Sequence, residues 1–173
     1  AAELPPCQLI HTSGICNAGV MAFRAAWSQV RLGEAKNALV VASELASRSL
    51  KHTRYEAAFE EGQALEWDAE FLRWMLSDGA GAWFLEPHPR PKGRSLRADW
   101  SRLRSYSSSY PVCMSGGRSV RKEQPKSWQD YDDCTTAERQ GAFLLRQDMR
   151  LLDEVVKIGV DLFLEVIEEG LVR

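Results

Sequence analysis

The sequence predicts an α/β fold, on three observations. A short apolar run, a long apolar helix and a second apolar run follow one another within residues 7–42. The second run, Ala38-Leu39-Val40-Val41-Ala42, is continuous rather than alternating, the pattern of a strand covered on both faces of a parallel sheet. Strand, helix and strand in that order make one βαβ unit with a right-handed crossover. At 173 residues the chain is long enough to bury an ordinary core.

Each element has a local reason. Residues 7–12, CQLIHT, follow Pro5-Pro6 and read as the first strand. Thr12, Ser13 and Gly14 supply turn and cap chemistry. From Cys16 to about Leu32 the chain reads as a helix that stops at Gly33. Val20, Phe23, Trp27 and Val30 form one side of it and Ala18, Ala22, Ala25 and Ala26 the other, so it is expected to be buried nearly all round. After the second strand, the acidic residues 55–73 read as one or two helical turns around Gly62. A glycine-rich turn then leads into a strand over 80–85. Pro87, Pro89 and Pro91 mark a boundary, placing one part at 1–88 and another at 89–173. Residues 95–110 alternate in part and read as one or two strands, and 111–139 as a long polar excursion. The apolar positions from Leu144 to Ile167 fall on one broad face, which predicts a helix from about Ala142 to Glu169.

Composition excludes several classes. A net charge of −2 with no long basic block gives no reason to expect nucleic acid or a membrane surface. No apolar run has the length of a membrane span, and no charged-then-apolar leader precedes a cleavage site, so a cytoplasmic protein is expected. The chain opens without Met and is expected to be a processed chain or a piece of a longer one. Cys7, Cys16, Cys113 and Cys134 lack C-x-x-C pairing and nearby histidines at ligand spacing, which argues against zinc; reduced thiols are expected.

The informative cysteine is Cys16, in HTSGICNAGV. A thiol at a helix N-terminus faces unsatisfied N–H groups and the positive end of the helix dipole. Both favour thiolate and so a nucleophile. The same N–H groups can hold the oxyanion formed when a thioester carbonyl is attacked. Gly14 and Gly19 leave room for a substrate. The alternative is a buried, inert cysteine.

The stretch SGICNAGVMAFRAAWSQVRLGEAKNALVVASELASR resembles the nucleophile segment of thiolase-like condensing enzymes, most of all the 3-oxoacyl-(acyl-carrier-protein) synthase III group. The matching features are a small-residue turn with Cys16, a buried helix, a Gly-x-x-Lys turn at Gly33 to Lys36, and a strand ending in Ser43-Glu44. About sixty residues beyond Cys16, Asp78-Gly79-Ala80-Gly81-Ala82 is similar to the family's turn before its next strand. The resemblance covers roughly residues 7–88 and implies part of a layered αβαβα fold. It implies that Cys16 accepts an acyl group from a coenzyme A thioester and is then attacked by the carbanion of a malonyl thioester on an acyl carrier protein, with no further cofactor. It places Leu76 at an acyl-pocket position and Ala46 at a second, and lets Arg54 meet a coenzyme A phosphate. A plain core leucine and a solvated arginine are the alternatives for Leu76 and Arg54. It further implies a homodimer paired through the strand at about 6–12, in fatty-acid or polyketide biosynthesis.

The sequence also departs from that family. The His-Gln-Ala-Asn-like motif and the later Asn of the group are not in this sequence; His11, His52 and His88 stand in other contexts. The stretch between Ser47 and Asp78 is longer than is usual in the group, and 111–139 reads as an insertion. Two rival expectations stand beside condensation: acyl transfer from Cys16 to an amine or alcohol, and a non-catalytic partner subunit.

Overall fold

Alanine-rich, proline-free stretches wind into helices and short β-branched or glycine-rich stretches extend, which gives a mixed α and β protein. The computed structural model describes residues 6–60, 62, 66–117 and 126–171. In chain order the elements are α1 (Ala18–Arg31), β1 (Ala38–Glu44), α2 (Ala46–Ser49), α3 (His52–Glu60), α4 (Trp67–Met75), β2 (Gly79–Leu85), β3 (Met114–Gly116), α5 (Cys134–Arg139), β4 (Leu145–Gln147) and α6 (Leu152–Glu168). They form two compact units that interleave along the chain. One comprises residues 1–44 and 79–104, the other 45–78 and 105–173, so residues 1–88 and residues 89–173 each contribute to both.

The first unit is α1 laid on a two-stranded sheet. β1 pairs with β2 in antiparallel register, Ala38 opposite Leu85 and Glu44 opposite Gly79. At Gly19 α1 lies close against β1: a Cβ there would stand 3.2 Å from that of Ala42. Phe23 meets the ring of Trp83 edge-on at 5.6 Å. Val40, opposite Trp83, is buried, whereas Leu39 and Val41 on the other face are 65% and 60% exposed.

Three expectations are corrected in this unit. The sheet is antiparallel rather than parallel, and β1 is covered on one face. Residues 7–12 form no strand, and Leu9 is 91% exposed. A strand exists only where another takes up its N–H and C=O groups, and β1 finds that partner in β2. No βαβ unit forms. Finally, α1 is not buried all round: Val30 alone of its residues is fully buried, and Val20 is 43% exposed.

Residues 95–110 also form no strand among the described residues. Their side chains close on near neighbours instead. Arg97 Nε reaches Asp99 Oδ1 at 2.6 Å, and the Ser105 and Ser107 hydroxyls lie 3.0 Å apart. Such local bonds compete with a ladder.

The second unit builds its core from Tyr55, Ala58, Ala69 and Leu144, with Leu50 packed against them. Ala58 and Ala69, both fully buried, keep the packing close. The acidic segment is thus two helices, α3 and α4, rather than one or two turns; residues 61 and 63–65 of it lie outside the described residues. The expected excursion 111–139 contains β3, a 3-10 turn at Trp128–Asp130 and α5, and its residues 118–125 lie outside the described residues. β3 pairs antiparallel with β4, Met114 opposite Gln147. Asp133 caps α5 by accepting from the Thr136 amide at 2.8 Å and hydroxyl at 2.7 Å.

The last helix starts at Leu152, ten residues after the expected Ala142. Ala142 and Leu144 are buried on the approach to β4, and Asp148 caps the 3-10 turn before α6 by accepting from the Arg150 amide. Among the described residues, no helix is long and apolar enough to cross a membrane.

Candidate functional site around Cys16

Two hydrogen bonds shape the turn that carries Cys16. The Asn17 amide donates to the Gly14 carbonyl at 3.0 Å, closing the 3-10 turn Ile15–Asn17 directly ahead of α1. The Thr12 hydroxyl donates to the Ala18 carbonyl at 2.9 Å and so straps the incoming chain to the first turn of the helix. Gly14 fits because a Cβ there would lie 2.7 Å from Met21 Sδ. Ile15 takes φ 51°, the one positive φ outside glycine among the described residues. For a β-branched residue that conformation costs about 1–3 kcal/mol and persists only where its surroundings enforce it.

The Cys16 thiol, next in the chain, is exposed and free. It stands one residue before Asn17, the N-cap of α1, whose side chain makes no capping bond. The Ala18 amide donates to the Ile15 carbonyl, so the 3-10 turn leads directly into α1. An exposed sulfur on the turn that leads into a helix can act as a nucleophile, with the positive end of the helix dipole nearby.

Ala46, Arg54 and Leu76 belong to the second unit, and Cys16 to the first. Ala46 opens α2 and is buried; Leu76 ends α4 and is half-buried. A tie 31 residues long draws these two stretches together: Asp78 accepts from the Ser47 amide at 2.8 Å and from its hydroxyl at 2.6 Å. The hydroxyl bond, then the amide bond, holds the Asp78 carboxyl below the usual carboxylate range. The sequence pattern marks DGAGA as a turn and misses this tie, for which nothing local to Ser47 gives a signal.

Arg54 is already engaged. Its guanidinium lies 5.3 Å above the Phe143 ring, 3.6 Å from Glu138 and 3.4 Å from the Ser49 carbonyl. Trp128 stacks with the same Phe143 ring at 5.9 Å. Of the histidines, His52 faces Glu56 at 3.9 Å, and His11 and His88 are exposed. Among the described residues, no group of three or more His, Cys, Asp or Glu is placed to hold a metal ion. Comparison with known proteins finds no family model that matches the chain and no curated protein that matches it.

Proposed function

We propose that the chain carries the nucleophile of a thiolase-like condensing enzyme of the 3-oxoacyl-(acyl-carrier-protein) synthase III kind, with Cys16 as acyl acceptor. The observation that carries this reading is the exposed Cys16 thiol on the constrained turn that leads into α1. The motif resemblance supplies the reaction. The Cys16 thiolate adds to the thioester carbonyl of an acyl-coenzyme A, the oxyanion collapses, and coenzyme A leaves as its thiolate and takes a proton. A malonyl thioester on an acyl carrier protein then loses carbon dioxide. Its carbanion attacks the acyl-enzyme, forming the new carbon–carbon bond and releasing the Cys16 thiolate.

The layered αβαβα fold, a homodimer through residues 6–12 and a cytoplasmic setting belong to the same proposal. Leu76 and Ala46 are its pocket residues. Arg54 would meet a coenzyme A phosphate with guanidinium N–H groups beside those that face Glu138 and Ser49.

A second reading is acyl transfer from Cys16 to an amine or alcohol, since an exposed thiol that accepts an acyl group can pass it to either acceptor. Both readings share the first step. Intact-protein mass spectrometry after incubation with acyl-coenzyme A should show one adduct that Cys16→Ala abolishes; the absence of an adduct with every donor contradicts both. Carbon dioxide released from a malonyl thioester separates condensation from simple transfer.

A further inference from the structure

The charge of −2 on the whole chain averages over an uneven distribution. From Glu86 to Arg104 six Lys or Arg stand against two Asp or Glu, a net charge of +4, so the other residues together carry −6. The first part of this segment is a loop that follows β2, within the first unit. Pro87, Pro89 and Pro91 restrict its backbone, and Gly93 turns it at φ 93°. Arg90 anchors it. The Arg90 amide donates to the Ser95 hydroxyl at 3.1 Å and its Nε donates to Glu86 at 2.8 Å. Its guanidinium also lies 5.4 Å from the centre of the Phe84 ring on β2.

Leu96 follows that closure and is 99% exposed, more than any other large hydrophobic side chain among the described residues. An exposed leucine alone is ordinary. This one has Lys92, Arg94 and Arg97 within four residues of it. Arg97 is held by Asp99 at 2.6 Å. Lys92 and Arg94 are exposed and, among the described residues, have neither an ion-pair nor a hydrogen-bond partner.

We infer that this loop, residues 87–97, docks the chain on the surface of an anionic lipid bilayer. Leu96 enters the boundary between headgroups and acyl chains, and Lys92 and Arg94 donate to the lipid phosphates and carboxylates around it. The combination of free cations with a fully exposed apolar side chain selects this occupant. A nucleic-acid backbone would satisfy the cations and leave Leu96 in water. An acidic protein would need a specific interface of roughly 1,000 Å² with matched shape, more than a short loop presents, whereas a bilayer has no shape to match.

The remaining charge does not forbid the approach. Glu86 and Asp99, the acidic residues of the segment, are each paired with an arginine. Exposed charges farther off are largely screened beyond about 8 Å at physiological ionic strength. One leucine and two free cations give a weak, reversible and salt-sensitive contact, held ready by a loop that is already closed on Arg90. It needs no spanning helix and does not depend on Cys16.

Co-sedimentation of the full 173-residue chain with lipid vesicles tests this. Vesicles of about one third phosphatidylserine in phosphatidylcholine should bind the chain at about 0.1 M salt and release most of it at about 0.5 M. Pure phosphatidylcholine vesicles should bind it at least about tenfold less. Leu96→Asp should weaken binding about tenfold, and Lys92→Glu with Arg94→Glu by at least as much, with circular dichroism checking that helix content is kept. Lys51→Glu with Lys157→Glu, at exposed positions of the second unit, changes net charge equally and should leave binding within about threefold. No binding to the phosphatidylserine vesicles overturns the inference. So does binding that tolerates Leu96→Asp, or that falls as far in the Lys51 and Lys157 pair or in Leu9→Asp. A chain that binds a single-stranded oligonucleotide through Lys92 and Arg94, and no vesicle, would reassign the loop to nucleic acid and overturn it too.

Discussion

The two units close themselves to very different degrees. In the first, only Val30 and Val40 are buried among the described hydrophobic residues, and the sheet face with Leu39 and Val41 lies open. In the second, Tyr55, Ala58, Ala69, Leu72, Leu144 and others are buried, and long-range polar bonds lock the shell around them. Arg146, itself 11% exposed, donates to Asp68 at 2.8 Å and to the Gly117 carbonyl at 2.8 Å. The candidate nucleophile therefore sits on the thinly packed unit, on a turn held by two hydrogen bonds and one strained residue. Most of the buried residues lie in the other. A turn of that kind can hold an exposed thiol in one conformation without burying it, which suits a group that must meet a substrate.

Substitutions can break that comparison. Arg146→Ala should have the largest effect, about 3–5 kcal/mol, because it leaves Asp68, only 13% exposed, without its partner. Equilibrium urea unfolding checks this, and a loss under about 1 kcal/mol would mean that the lock contributes little. Leu72→Ala, at a side chain 2% exposed, should cost about 2–4 kcal/mol. The matching change in the first unit, Val40→Ala, should cost only about 1–2 kcal/mol, since it removes less apolar volume from a core with one covered face. Equal losses for the two would contradict the contrast.

Smaller effects sharpen it. Ile15→Gly relieves the positive φ and should stabilise the chain by roughly 1 kcal/mol, read from thermal unfolding. A lower melting temperature would mean that the Ile15 side chain contributes more than its backbone costs. The Asp78 tie predicts a pH dependence of definite sign. Its carboxyl titrates below the usual range in the folded chain, so its contribution is present above the unfolded value and is lost as pH falls through the folded one. The Ser47 amide resonance should stay constant from neutral pH into the usual carboxylate range and move only below it. Asp78→Asn should remove that titration.

Local features are legible in the sequence, and pairings are not. The run Ala38 to Ala42 and the stretch after Asp78 each announce a strand, and β1 and β2 lie there. The helix after Cys16 and its stop before Gly33 also follow from nearby residues. Which strand joins which is decided by register between distant segments, so the apolar pattern sets β1 beside residues 7–12 when its partner is β2. Ala142 and Leu144 fit a helical period equally well whether they belong to α6 or to the core beside β4. The Ser47–Asp78 and Arg146–Asp68 bonds span 31 and 78 residues, beyond the reach of any local pattern. At the site, the Thr-Ser-Gly turn marks where the thiol stands. The positive φ at Ile15 has no sequence signal, since isoleucine is among the residues least suited to it.

If Cys16 is the acyl acceptor, the turn, and not mere exposure, sets it apart. Cys7, Cys16 and Cys134 are all exposed and free, so the chain supplies its own controls. The most direct measurement is site-resolved mass spectrometry after brief treatment with limiting acetyl-coenzyme A. The acetyl group should appear on Cys16 well before it appears on Cys7 or Cys134. Acetylation spread evenly over the three thiols, or absent from Cys16, would mean that the turn confers no special reactivity.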